Sequence, residues 1–482
     1  MKKNNELYKL HNQLKKNFSK IGLVGTTMSE MDAVLDVEDI RDDSAYYEKF
    51  FKKIENEIKK FGTVVSGGIV GDELEAEKIS DLFNREQVDL IIAVPVNYTL
   101  DSVIIKLLRN QKVPIIIWNT SPMEKLPDNM DYDTAIANAI IACVPTLTNV
   151  LIKNGIKFKI VSGSISDKKV LNYLNEYIIA AKAVKTLKTA KVGFVGNSYP
   201  GITSISVDEA RVIGKFGTTI VRIENMNIEK YYKNVEIGKT KTDLDIFKKE
   251  FSFNQLTDDE IERSIKLYNA ILDISKENSL DAIAQLCSYA IISDIIGIAP
   301  CFAYSILSSM GIVTTCEGDV GTAIALIILR EISGDAFFAE YYLQDFVKDF
   351  ILIAHCGLGN INFADTKKEI KVLPQPCFPG KHGRGAAFEF NLKSGEMTMV
   401  SLSMLTPEKW TMIACEVESI KSEAYPMICP QAKIRFKNGD LNEKFVEFCT
   451  KGGTHHLAFT FGNHLSKLEK VCDILDINFQ KI

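Results

Sequence analysis

The sequence predicts an α/β protein: two doubly wound parallel-sheet domains followed by a C-terminal β-rich, barrel-like domain. Three observations carry this. Up to about residue 350, short wholly apolar runs alternate with segments of helical period, the pattern of parallel strands covered on both faces. A second such series opens near Lys191. From about Phe350 the helical periods give way to short apolar or alternating runs punctuated by Gly and Pro, which reads as antiparallel β-structure. A chain of 482 residues is too long for one core. Domains of ~100–200 residues give two to four of them, with boundaries read here as 1–165, 166–349 and 350–482.

In the first domain a polar leading helix precedes a strand at 21–25, and further strands are predicted at 62–66, 88–94 and 113–118. Helices are predicted at 46–60 and 73–83, in a segment ending at Arg109, and over 132–152 with a kink at Pro145. The second domain starts with a strand at 192–197 that runs into a Gly196-Asn197 turn. Gly193-Phe194-Val195-Gly196 lacks the full G-x-G-x-x-G spacing, so no dinucleotide site is predicted. Helices at 207–216, 258–276 and 291–310 alternate with strands at 218–223, 281–286 and 311–315, and Pro300-Cys301 breaks the last helix or marks a turn within it. A helix from Gly321-Thr322 to Ile332 follows. Ligands of such sheets sit beyond the carboxyl ends of the strands, which is where Glu317 and Asp319 fall. The third domain has runs at 370–373, 386–390, 397–402, 410–417, 432–436 and 457–461, then a closing helix at 465–475.

Composition is that of a globular protein, 46% hydrophobic and 25% charged, with a net charge of −5. No basic stripe with interleaved aromatics is present, so a nucleic-acid partner is not expected. The N-terminal residues contain no apolar core of a signal peptide. The most apolar window, 288–307, is interrupted by Asp294 and Pro300 and reads as buried helix and turn instead of a membrane span. A cytoplasmic location is the expectation. None of the ten cysteines forms a C-x-x-C pair, so they read as reduced core residues. Cys316 and Cys356 stand apart because each adjoins a candidate site residue.

Histidine is scarce, and five of the six lie from His355 onward. Glu317, Glu340, His355 and His456 form an ordered set of hard or borderline donors suited to a divalent ion with open coordination positions. Each has a bland alternative. Glu317 precedes a helix and could be an N-terminal charge. Glu340 sits among Phe337, Phe338, Tyr341 and Tyr342, and fifteen residues separate it from His355 across an expected loop or turn. His355 and His456 follow or enter apolar runs and could be core residues. Asp319 and Asp345 could orient ligands from behind. His382, in the polar loop at 379–385, either touches substrate or simply turns. A divalent ion can hold two neighbouring oxygens of a sugar and polarise the carbonyl, while a carboxylate moves a proton between the adjacent carbons. The tandem His455-His456 lies on a predicted strand at 454–461, where alternate residues face opposite sides. The two rings therefore cannot both face the ion; with His456 as the ligand, as the family resemblance given next implies, Thr454, Ala458 and Thr460 share its face and His455 faces the core with Leu457, Phe459 and Phe461.

The ordered motifs Pro300-Cys301, Cys316-Glu317-Gly318-Asp319, Phe338-Ala339-Glu340, His355-Cys356-Gly357 and Gly452-Gly453-Thr454-His455-His456 resemble the L-fucose/L-arabinose isomerase superfamily in order and spacing. The resemblance runs from about Lys191 to the C-terminus and is one of βα texture alone before that. It implies two α/β domains and a β-rich domain. It implies a divalent ion, usually Mn²⁺, on Glu317, Glu340, His355 and His456, with Glu317 and Glu340 as the proton-transfer pair. It also implies a homo-oligomer, a trimer or hexamer, whose neighbour's N-terminal domain completes the pocket. Glu340 matches the arabinose branch, where fucose isomerases carry Asp. Cys316-Glu317 and His355-Cys356-Gly357 look more like the fucose branch. The expected function is a metal-dependent aldose–ketose isomerase working through an enediol on a free, fucose- or arabinose-like sugar. The alternatives are a non-catalytic sugar-binding or regulatory protein on the same scaffold, or another enediolate enzyme such as an epimerase or aldolase.

Overall fold

A computed structural model describes residues 19–28, 44–288, 290, 293–365, 370–376, 383–406 and 409–482. The leading polar helix, the start of the 291–310 segment, Cys377 and His382 lie outside the described residues. The chain forms two compact units, Asn17–Lys182 and Ala183–Ile482.

The first unit is a parallel sheet of β1 (Lys20–Thr26), β2 (Thr63–Val70), β3 (Leu90–Pro95), β4 (Ile115–Asn119) and β5 (Lys159–Ser162), in the order β2-β1-β3-β4-β5. Every residue of β3 is buried, as expected for a central strand covered by helices on both faces. The helix Glu73–Glu86 is capped by Asp72, whose carboxylate accepts from the Glu75 N–H, and ends at Gln87 in the left-handed region. Two details differ from the sequence expectation. The helix expected over 132–152 is two helices, Tyr132–Ala137 and Ile140–Lys153, and Pro145 lies within the second. The interruption falls at Asn138, whose side-chain amide donates to the Thr134 carbonyl and so competes with the backbone ladder. β5 is a further strand: it is an edge strand of four residues with only Val161 buried, too short to show a period.

The second unit opens with a parallel sheet. Its members are β6 (Lys191–Val195), β7 (Thr219–Ile223), β9 (Ala282–Gln285) and β10 (Val313–Cys316), in the order β10-β9-β6-β7; the two-residue β8 (Ser252–Phe253) lies in a different sheet. Pro300 stands at the N-terminal boundary of helix Cys301–Ser309, so it starts a helix instead of interrupting one. The β-rich part follows: β11 (Phe337–Asp345), β12 (Phe350–Ala354), β13 (Lys371–Pro374), β14 (Ala386–Asn391), β15 (Gly395–Thr406), β16 (Lys409–Ile420), β17 (Pro430–Phe436), β18 (His456–Phe461) and β19 (Asn478–Lys481). Antiparallel pairing runs β16-β15-β18-β11-β12-β17, and β17 pairs back onto β16, closing a six-stranded barrel. The fold is thus parallel-sheet α/β structure followed by a β barrel. No helix among the described residues is long and apolar enough to cross a membrane.

The two faces of β18 have different duties. Phe459 stacks on Phe337 with ring centroids 5.1 Å apart, and Phe461 stacks on Phe363 at 5.6 Å. On the other face the Thr460 hydroxyl meets Ser333 and Asp335, at the end of the buried helix Val320–Ser333. The strand is therefore held from both sides. Phe459→Ala, at a fully buried position, should cost about 3–5 kcal/mol, read as a lowered Tm and denaturation midpoint. A melt within 1 °C or so of wild type, against the several degrees such a loss implies, would show that the stack carries no such weight.

Candidate metal centre

Strand register assembles the site. In the β11–β18 pair Glu340 lies opposite His456, and in the β11–β12 pair it lies opposite Ala354, the residue before His355. Glu340 on β11 and His355, immediately after β12, thus flank the hairpin turn as expected, and the pairing brings them side by side. Glu340 also belongs to the β-rich sheet, upstream of the boundary read near Phe350. Glu317 arrives from the carboxyl end of β10, in a left-handed conformation with φ +60°. That conformation costs a non-glycine residue on the order of 1 kcal/mol or more.

The four residues converge. His456 Nε2 lies 3.5 Å from Glu317 Oε2 and 3.8 Å from Glu340 Oε2, and His355 Nε2 lies 3.8 Å from Glu340 Oε1. These separations are too long for good hydrogen bonds. Ion–donor bonds of about 2.0–2.2 Å place neighbouring donors roughly 3–3.5 Å apart, so the gaps are of the order that donors around one ion require. Glu317 Oε2 and His456 Nε2 are both buried without a hydrogen-bond partner. Orphaned buried acceptors of this kind call for a partner such as an ion or water, and the donor set of two carboxylates and two imidazoles suits a divalent cation.

Asp319 fixes the orientation of His456. Its Oδ2 lies 2.9 Å from His456 Nδ1, while Oδ1 accepts the Thr322 N–H and Oδ2 the Thr322 hydroxyl, capping helix Val320–Ser333. With the Nδ1 proton directed to Asp319, the Nε2 lone pair points into the site, the usual carboxylate–histidine–metal arrangement. Burial lowers the proton affinity of His456, but the Asp319 hydrogen bond and the charges of Asp319, Glu340 and Glu317 outweigh it, and the net shift is upward. Burial, then His456 and His455, lowers His355 to about 3, so its imidazole stays neutral. Burial raises the Glu317 carboxyl, with His456 opposing.

His455 departs from expectation. β18 begins at His456, so strand alternation does not reach back to His455. Its side chain is 37% exposed, its ring lies 4.1 Å from that of His456, and its Nε2 is 3.9 Å from Glu340 Oε2. It faces the site and not the core. Two overlapping donor sets result: Glu340, His355 and His456, and Glu317, His455 and His456. They share His456, whose single free lone pair serves one ion. Asp345 is not behind the site: its carboxylate accepts the N–H groups of Val347 and Lys348 in the β11–β12 turn. The Cys316 thiol is held well above its ordinary value by a hydrogen bond with Cys287 and by burial. Neither it nor Cys356 joins a donor set among the described residues.

The model of the L-arabinose isomerase C-terminal domain matches residues 335–478. Sulfoquinovose isomerase of Priestia megaterium is 22% identical over 414 residues, covering 84% of this chain and 89% of its own. That of Alkalicoccus urumqiensis is 22% identical over 316 residues, covering 64% and 67%. An ABC-transporter solute-binding protein of Agrobacterium vitis, solved with α-D-tagatopyranose, matches 65% of this chain and 89% of its own at 13% identity, but a TM-score of 0.16 gives the likeness no weight. The six barrel strands lie within the matched domain, and the relatives that this chain is similar to are named as sugar isomerases. Beyond that domain, the similarity to the sulfoquinovose isomerases extends over most of the chain.

Removing the carboxylate behind His456 tests the arrangement. Asp319→Ala should weaken divalent-ion affinity ~10–100-fold, measured by calorimetric titration, together with the loss of about 1 kcal/mol from the missing helix cap. Wild-type affinity in a folded Asp319→Ala variant would remove Asp319 from this role.

Proposed function

We propose that the chain is a metal-dependent aldose–ketose isomerase that acts on a free monosaccharide through an enediol. The observation that carries this reading is the convergence of two carboxylates and two buried imidazoles, with Glu317 Oε2 and His456 Nε2 lacking any other partner. Glu317, Glu340, His355 and His456 would hold the ion, Mn²⁺ by family resemblance. Such an ion would supply a Lewis acid that polarises the sugar carbonyl.

The chain's own residues do the rest. One of Glu317 and Glu340 takes the proton from the hydroxyl-bearing carbon beside the carbonyl and a carboxylic acid of the pair returns a proton to the former carbonyl carbon, while the hydroxyl proton passes to the former carbonyl oxygen. The burial that raises Glu317 makes it a stronger base than a free carboxylate, which suits this exchange. His355 stays neutral and keeps a lone pair for the ion. His456 is oriented by Asp319, and burial of the histidines limits water around the reacting carbons. The candidate substrates are sugars of the fucose or arabinose type and the sulfoquinovose for which the relatives are named. A cytoplasmic homo-oligomer, trimeric or hexameric, completes the proposal by analogy with the family.

A metal-reconstituted assay over free aldoses and ketoses, sulfoquinovose included, with products separated by chromatography, tests the activity. Metal analysis should find about one ion per chain, the number one four-donor set holds. Full turnover in a verified metal-free sample would sink the metal role. Glu317→Gln and Glu340→Gln should each lower turnover by ~10²–10⁴-fold without loss of fold, and a folded variant at near-normal rate would remove that residue from the proton-transfer pair. His456→Ala should lose ion and activity together. Light scattering that finds an active monomer would overturn the assembly.

A further inference from the structure

Glu317 has an unusual backbone for its place in the chain. Of the six other non-glycine residues with positive φ among the described residues, Gln87, Ser279 and Asp476 close helices, where the left-handed turn is routine, and Gln255, Asp349 and Ile428 lie in loops and turns. Glu317 instead follows a strand. A strained residue of this kind persists only where its surroundings over-determine it. The surroundings here are a loop from another βα unit. The Tyr199 N–H donates to the Glu317 carbonyl at 2.9 Å, and the Ser198 hydroxyl to the Gly318 carbonyl at 3.4 Å. Gly318, with φ +74°, lets the two backbones close: a Cβ there would lie 2.6 Å from the Asn197 carbonyl oxygen and 2.8 Å from Ser198 Cα.

The loop that does this is not next door. In the sheet β9 lies between β6 and β10, so residues 197–199, after β6, reach across the carboxyl end of β9 to grip the turn after β10. Ser198 and Tyr199 are not buried, and the grip therefore adds little to the core. Glu317 Oε2 has no hydrogen-bond partner of its own. Its direction is set by the backbone that carries it.

We infer that the loop Asn197–Tyr199 is the positioning element of Glu317: it holds the left-handed turn at Glu317-Gly318 and so aims the carboxylate at His456 and Glu340. The inference rests on the proposed role of Glu317 and adds the residues that make that role possible.

The test uses the full-length protein with Gly318→Ala, Ser198→Ala and the conservative Ser198→Thr. Three measurements are read: amide hydrogen exchange of a peptide covering 197–201, the visible spectrum of the Co²⁺-substituted protein, and kcat and KM separately. Gly318→Ala should speed exchange at the Tyr199 amide, alter the Co²⁺ spectrum and lower kcat ~10–100-fold, the effect of misplacing a catalytic group by about 1 Å, with KM changed by less than about 3-fold because substrate binding is not what the grip serves. Ser198→Ala should move all three in the same direction by less, and Ser198→Thr should restore them. Faster exchange or a lower Tm with an unchanged Co²⁺ spectrum and kcat would overturn the inference and leave the loop a structural tie. A wild-type protein that turns over no sugar would instead retract the isomerase reading, and the Co²⁺ spectrum of the variants would still decide the positioning role.

Discussion

The buried contact between His456 and Asp319 is the interaction on which the site depends. The imidazole is fully buried, and its Nδ1 is bonded across 137 residues to a carboxylate that also caps a helix. One carboxylate thereby ties three things together: the end of the parallel sheet, the start of helix Val320–Ser333 and the first residue of β18. Each would tolerate small shifts alone. Together they leave His456 one ring orientation and one tautomer, which is what a metal ligand needs.

The barrel sets the remaining geometry. Its closure through β16–β17 fixes the stagger of six strands, and the stagger puts Glu340 opposite His456 and one residue short of His355. A slip of one residue would turn every side chain of a strand to the other face. The aromatic stacks Phe337–Phe459 and Phe363–Phe461 oppose such a slip from inside, and Thr460 opposes it from outside through Ser333 and Asp335. Packing that looks merely structural thus determines the distances between ligand atoms.

How much was legible in the sequence follows from the range of the interactions. Strands such as β3, β4 and β10 are short apolar runs buried on both faces, and their type is written in a few consecutive residues. The runs of the barrel were legible for the same reason. A barrel-like domain was legible from those runs, but not which strands close it, because β16 and β17 pair through residues whose local pattern names no partner. The edge strand β5 buries only Val161 and so shows no period. Glu317, Glu340, His355 and His456 stood out by residue type and order, whereas Asp319 was legible only as one of two carboxylates that could orient a ligand, and the contact 137 residues away selects it over Asp345. The error at His455 has one cause. The predicted strand began at Thr454, two residues before β18 does, and a residue outside the ladder is free to turn toward the site.

The electrostatics of the site point the same way as its geometry. Glu317, Asp319 and Glu340 surround a buried imidazole, and burying several carboxylates together is costly unless positive charge offsets them. The field they produce raises the proton affinity of His456 against the opposing effect of burial. A proton at Nε2 therefore supplies part of the missing charge. On the proposed reading a divalent ion takes the place of that proton, since the same lone pair serves both and ligands must be deprotonated to bind. His355, which burial keeps neutral, adds a donor without adding charge. The arrangement thus favours a dication over a proton by the number of donors it offers: a proton uses one lone pair, whereas an ion uses the carboxylates and both imidazoles at once.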